Sequence, residues 1–186
     1  MLARREPVTL RTLVGEVGAS TMAVYTHFGG MQGLWRAVRQ EGFTRLGERL
    51  SHVRLTEDPV RDLAALGSAY AGNALEHPHL YRVMFDAVVE LDDPAAAART
   101  FAVLPQCVAR AQQAGRFDGA REPGAVATRL WASGHGLVTL VLTGVLPRDA
   151  IAEHGPELVA AVCIAVGDDP EACRRSVRAG WEVPAI

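Results

Sequence analysis

The residues of this chain best suited to chemistry are its three cysteines and six histidines, and their spacing limits what they can do. Cys107, Cys163 and Cys173 are odd in number, widely separated and free of any CxxC pair, so they read as buried free thiols rather than a disulfide or a zinc site. His77-Pro78-His79 brings two imidazoles together, but the pair flanks a helix start, and no further Cys, His or carboxylate cluster has matching spacing. His135 lies between Gly134 and Gly136; as a general base it would need a nucleophile, and no nucleophile elbow, phosphate loop, carboxylate pair or metal set completes such a site. The expectation is a protein that is not an enzyme, with no metal and no cofactor.

A second group of residues is suited to holding a molecule rather than converting one. Tyr70, Tyr81, Met84, Phe85, Phe101, Trp131 and His135 fall on four consecutive helical segments, where large side chains can converge on a pocket between helices. Few charges lie among them, so a small apolar or aromatic compound is the expected occupant. Two glycines inside one helix cost about 1 kcal/mol each against alanine. Gly134 and Gly136 therefore imply a closely approached surface, at a dimer seam or beside a ligand.

The elements that must position these residues are helices. Hydrophobic content of 49% fills a core, aromatic content of only 6% with abundant Ala, Leu and Val favours closely packed helices over a β-sandwich, and no period-two stretch competes. The expected class is all-α. No window approaches 18 uninterrupted apolar residues and the start lacks an apolar stretch after its charges, so neither a membrane span nor a signal peptide is expected and the chain reads as cytoplasmic. All 19 basic residues are arginine; up to Arg54 there are 8 against 4 acids, and beyond it 11 against 17, so a +4 segment precedes a −6 segment. That asymmetry suits an anion-binding head on an acidic body.

In the basic segment Leu10, Leu13, Val14 and Val17 make the stripe of a short amphipathic helix that Thr9 can cap. Gly18 stops it, and Ser20 can cap a second helix, STMAVYTHF, with Ala23, Val24 and Phe28 inward. Two short helices joined by about three residues with glycine at the bend have the helix-turn-helix layout. Gly29-Gly30 turns the chain into a long helix near 31 to 53. Beyond the capping cluster Thr56-Glu57-Asp58-Pro59, helices are expected near 60 to 75, 78 to 90, 94 to 115, 122 to 144, 156 to 166 and 170 to 180.

Residues 9 to 34 resemble the DNA-binding segment of the tetracycline-repressor (TetR) family, in Thr9-Leu10-Arg11, Leu13, Gly18, Ser20, Ala23-Val24-Tyr25, His27-Phe28 and Leu34. Trp131-Ala-Ser-Gly-His135-Gly136-Leu137 resembles the Trp-His-Gly signature of one ligand-domain subgroup of that family. The resemblance implies a helix-turn-helix DNA-binding domain with connecting helix over 1–54 and a helical ligand-binding and dimerisation domain over 55–186. It also implies a dimeric, ligand-responsive repressor on palindromic operator DNA, with Thr9, Arg11, Ser20, Thr21, Met22, Ala23, Tyr25 and His27 at the duplex. Such side chains suit a duplex surface, because arginine pairs with guanine O6 and N7, hydroxyls donate to phosphate, and Met22 or Ala23 can touch a thymine methyl. The same likeness implies a dimer seam formed by Leu130, Leu137, Val138, Val141 and Leu142 with Leu158, Val159, Val162 and Ile164. Two departures stand out. Only eight residues precede Thr9, so the family's first helix is expected to be truncated or missing, and Met31 stands where the family places a phosphate-contacting lysine. These departures leave a second reading, a helical small-molecule-binding dimer that has lost DNA binding.

Overall fold

A computed structural model describes residues 10–86, 91–93 and 95–181, with the side chains of residues 10–12 and 17 outside the description. Among the described residues the chain forms ten helices and no strand: α1 (Leu10–Val17), α2 (Thr21–Phe28), α3 (Met31–Ser51), α4 (Pro59–Glu76), α5 (Pro78–Met84), α6 (Ala95–Phe101), α7 (Val103–Gln113), α8 (Pro123–Leu142), α9 (Ala150–Ala165) and α10 (Pro170–Gly180). The chain divides into two compact units, one comprising residues up to Arg45 with His77–Ala98, the other Leu46–Glu76 with the residues from Arg99 onward.

In the first unit α1 and α2 are joined by residues 18–20 and contact each other, with Val14 and Val24 buried. The N–H of Ala19 donates to the carbonyl of Val14 at 3.1 Å, closing α1 while Gly18 takes a φ of 66°. Ser20 then starts α2 by accepting the N–H of Ala23 on its hydroxyl at 3.1 Å. Gly29 ends it at a φ of 69°, a left-handed cap that only glycine adopts without penalty, and its N–H returns to the Tyr25 carbonyl. The first part of α3 packs on α5: Phe43 meets Phe85 edge-on with centroids 5.9 Å apart, and Arg39 Nε donates to the Met84 carbonyl at 2.8 Å.

The second unit is organised around α4, which touches α7, α8, α9 and α10 and buries most of its length from Pro59 to Leu75. Three of the expected helices have different bounds in the structure. The segment read as one helix near 94 to 115 is two, because Pro105 has no N–H to give the carbonyl four residues back, at Phe101, where α6 ends. In contrast, Pro156, read as a helix start, lies inside α9, which begins at Ala150; burial of Ala150, Ile151 and Gly155 holds that first turn despite the proline. Further along, α5 stops at Met84 rather than near residue 90, and residues 87–90 lie outside the description.

A buried charge network ties the same unit together. Arg116 clamps Asp168 with two hydrogen bonds of 2.6 and 2.9 Å and reaches Asp58 at 3.3 Å, while the Ser176 hydroxyl donates to Asp58 at 2.6 Å. Asp62, fully buried, accepts from Arg110 at 2.8 Å and from the N–H and hydroxyl of Thr56 at 3.0 and 2.8 Å, and Arg110 also donates to the Thr56 carbonyl. Every buried charge here has several partners, the condition under which charge is tolerated in an interior. Among the described residues one helix, α8, is long and apolar enough to cross a membrane, with a mean hydropathy of 1.2; its Leu137, Val138 and Val141 are instead buried in this unit.

Candidate functional site

The polar and apolar side chains of α2 stand outward in an unusual proportion. Thr21, Thr26 and His27 are exposed, Met22 is 69% exposed and Tyr25 57%, while Val24 alone on the helix is buried and Ala23 is half-buried. Phe28, expected inward from the sequence, is 39% exposed, so α2 carries three large apolar or aromatic side chains that stand in water. Thr9 and the Arg11 side chain lie outside the described residues, as do Arg4 and Arg5. Met31 opens α3 and is half-buried.

The second unit contains an apolar cleft between α4, α7, α8 and α9, walled by Leu63, Leu66, Tyr70, Leu104, Trp131 and Leu158 among others, with Phe101 at the end of α6. It holds about 710 Å³ of empty space with its open mouth counted, and about 60 Å³ in which the centre of a water-sized molecule fits. The enclosed part, about 60 Å³, is a few times the roughly 10–15 Å³ that one water needs, so the cleft as it stands has room only for a small molecule. No charged side chain among the described residues lines it. An aromatic column forms one wall, with Phe101 and Trp131 centroids 4.4 Å apart, Trp131 and His135 6.2 Å apart edge-on, and Tyr70 tilted against Phe101 at 6.4 Å.

Of the seven residues singled out from sequence, Tyr70, Phe101 and Trp131 line this cleft and His135 stands behind them, its Nδ1 3.0 Å from the Tyr70 hydroxyl. Burial lowers the His135 pKa below its ordinary value, which favours the uncharged ring. Tyr81, Met84 and Phe85 belong to the other unit, where the Tyr81 and Phe85 rings meet tilted with centroids 4.9 Å apart, and they do not line the cleft. Sequence reasoning missed Trp181, Gly67 and Gly155, which also line it. Their only signal was an isolated tryptophan following α10, and nothing local tied it to glycines on α4 and α9.

Beyond its own helix turn, a Cβ at Gly134 or Gly136 would meet no atom of this chain within 4 Å, so the space beside both glycines is open in the single chain. Gly134 borders the cleft, and Gly136 is exposed. Leu137, Val138 and Val141, read from sequence as dimer-seam residues, are already buried within one chain. Along one side of α8 the exposed positions are Ala125, Arg129, Ala132, Gly136, Thr139 and Leu140, continued by Thr143 at the C-cap.

All three cysteines are buried free thiols, and burial together with the charge of Asp62 pushes the Cys107 thiol up to about 11. No group of three or more metal-ligating side chains occurs among the described residues, and His77 caps α5 without a side-chain hydrogen bond.

The family model described as "Tetracyclin repressor-like, C-terminal domain" matches residues 63–162, more than half of the 186-residue chain. The chain belongs to this TetR-like family of transcriptional regulators. Among solved structures, the TetR-like chain is similar to a protein of unknown function from Rhodococcus sp. RHA1, with 27% identity, a TM-score of 0.66 and coverage of 90% of this chain and 84% of that one. It also shares its fold with RolR solved without ligand, at 16% identity and a TM-score of 0.61, over 92% of this chain and 86% of that one. No curated protein matches the sequence.

Proposed function

We propose that this TetR-like protein is a cytoplasmic, ligand-responsive transcriptional repressor that binds palindromic operator DNA as a homodimer and is released by a small apolar or aromatic effector. The observation that carries the reading is the outward face of α2. Thr21, Met22 and Tyr25 are exposed on a helix that follows a three-residue turn and a capping serine, the geometry in which a recognition helix enters a major groove. In this reading Thr21, Met22 and Ala23 meet base edges, while Thr9, Ser20, Tyr25 and His27 hold the backbone and Arg11 reaches a base or nearby phosphate. Residues 1–54 serve as the DNA-binding domain and 55–186 as the ligand-binding and dimerisation domain. The neutral, apolar cleft supports an uncharged effector, since a charged one would lose its hydration without gaining a partner.

The dimer joins α8 and α9 of two chains. The outward positions Ala132, Gly136, Thr139 and Thr143, with exposed Ala161 and Ala165 on α9, are small enough for a second helix pair to approach closely, and exposed Leu140 beside them supplies apolar area for it to cover. Effector in the cleft then favours a spacing of the two recognition helices that no longer fits successive major grooves.

Fluorescence anisotropy with duplexes from upstream of the gene tests the reading. Specific binding should weaken steeply between 50 and 200 mM salt, as about three or more phosphate contacts per chain require. A protein that binds these duplexes no better than scrambled DNA, yet dimerises and takes up apolar ligands, supports the second reading instead, a small-molecule-binding dimer without DNA binding. Met31 in place of the family's lysine is the feature that favours that alternative.

A further inference from the structure

Part of the cleft wall comes from the far end of the fold. Trp181 follows α10 directly, and its backbone is fixed there. Its N–H donates to the Val177 carbonyl at 2.8 Å, and Gly180 before it lies so close to α4 that a Cβ there would collide with the Arg61 carbonyl oxygen. The six-membered edge of the indole lies in a notch made by two glycines. A Cβ on Gly155 of α9 would overlap Cζ2 and Cη2 of the ring, and one on Gly67 of α4 would come within 3.2 Å of Cζ3. Gly67, Gly155 and Trp181 all line the cleft. The notch is therefore a recess of the cleft that fits the edge of a flat ring, and the chain fills it with a ring of its own.

The space beside the indole is too small for a second ring. About 60 Å³ is enclosed, whereas a cavity of about 150 Å³ takes up one benzene. A ring held wholly inside the cleft therefore needs a wall residue to yield. The other aromatic side chains of the wall are fixed: Phe101 and Trp131 pack with centroids 4.4 Å apart, Trp131 lies in the middle of α8, and the Tyr70 hydroxyl is paired with His135. Trp181 stands past the end of its helix, in extended backbone, and is only half-buried. Its indole N–H has no hydrogen-bond partner among the described residues, so the ring can swing out about its side-chain torsions without breaking one. A ligand ring in the same seat restores the apolar burial that the indole gives up.

We propose that the notch between Gly67 and Gly155 is an aromatic-ring subsite, filled by the Trp181 indole until an effector carrying a flat six-membered ring takes the seat from it. The inference rests on reading the cleft as the effector site. It adds where the effector's ring sits and why a flat ring is preferred to a puckered one. Because the seat must first be vacated, the intrinsic affinity is reduced by the fraction of time the notch stands empty. Toluene and methylcyclohexane share a carbon skeleton and differ in flatness, which makes them suitable probes.

Calorimetric titration of the full chain should show toluene binding about tenfold more tightly to Trp181→Ala than to the unmutated protein, as expected for a notch that stands empty about a tenth of the time. Methylcyclohexane should not share that gain, and adding Gly155→Ala, which puts a Cβ in the notch, should cancel it. In the unmutated protein the buried Trp181 indole N–H, followed by ¹H–¹⁵N NMR, should exchange with solvent faster once toluene is bound, while that of Trp131 does not. This readout is independent of how the variants fold. Toluene bound with the Trp181 N–H exchanging as slowly as before leaves the effector cleft standing and overturns the displacement. An equal gain for methylcyclohexane in Trp181→Ala overturns the flat-ring subsite. Binding of neither probe to either protein overturns the cleft reading and the proposal with it.

Discussion

Helices α2 and α8 both present a face to solvent, and the two faces differ in the size of what stands at their centre. The outer side of α2 is large and varied, with Met22, Tyr25 and His27 exposed, whereas the middle of α8 shows the small residues Ala132, Gly136 and Thr139 between Arg129 and Leu140. Large side chains with hydroxyl or thioether tips reach away from their own backbone, which suits reading a groove several ångströms deep. Small ones let another backbone come near, which suits helix-on-helix docking. Exposure alone therefore says little about a partner; the size of what is exposed distinguishes a reaching surface from a docking one.

Introducing bulk and charge on the small face should have the largest effect. Gly136→Arg places a guanidinium where a second chain is proposed to close, twice per symmetric dimer. An unpaired buried charge costs about 3–5 kcal/mol, so the dimer dissociation constant should rise by 100-fold or more at about 3 kcal/mol. Light scattering after gel filtration would show monomers, and an unchanged dimer would place the seam elsewhere. Truncating the large face should act next. Thr21→Ala, Met22→Ala and Tyr25→Ala should each weaken specific DNA binding by about 1–3 kcal/mol and leave stability within about 0.5 kcal/mol, because the side chains are exposed. Competition anisotropy and urea unfolding measure the two quantities separately.

Ser20→Ala acts on the scaffold of that face rather than on the face itself. Loss of the hydroxyl that accepts the Ala23 N–H should cost about 1 kcal/mol of local stability, visible as faster amide exchange in α2 with no change in α8. A comparable increase in both helices would mean that the two regions unfold together.

The smallest effect expected is a pH dependence confined to the α4 end of the second unit. Burial alone would raise the Asp58 carboxyl, but the Ser176 hydroxyl, the Arg61 N–H, the Arg116 guanidinium and the Val60 N–H outweigh it and hold the pKa below the ordinary 3.8. A carboxyl lowered on folding contributes stability that is present above pH 3.8 and lost as pH falls through the folded value. Asp58→Asn should therefore flatten the acid limb of the stability curve and leave DNA binding near pH 7 unchanged. An acid limb identical to that of the parent chain would contradict the assignment.

Local signals made the first region legible and non-local ones hid parts of the second. Gly18, Ser20 and Gly29 act within a few residues of themselves, so α1, α2 and their turn could be read from the chain. The cleft was half visible: Tyr70, Phe101 and Trp131 are bulky residues on helical stretches, and bulk at helical spacing is a local cue. Trp181 and its glycine notch join α4, α9 and the residue after α10, and no periodicity records that meeting. Tyr81, Met84 and Phe85 carry the same cue as the cleft residues but sit beside α3 in the other unit. Nothing local marks Asp62 and Asp168 as interior acids, since a carboxylate is buried only where distant arginines such as Arg110 and Arg116 meet it. Pro156 misled for the opposite reason, because packing of its neighbours outweighs a local helix-breaking tendency.

The most direct test of the account is selection of bound duplexes from a random DNA library by the full chain and by a Thr21→Ala/Met22→Ala/Tyr25→Ala variant that still dimerises. The account predicts that the parent chain enriches a palindrome whose half-sites lie about one helical turn apart and that the variant loses it. No enriched palindrome with the parent, or the same palindrome with both proteins, would contradict a DNA-reading role for the exposed face of α2.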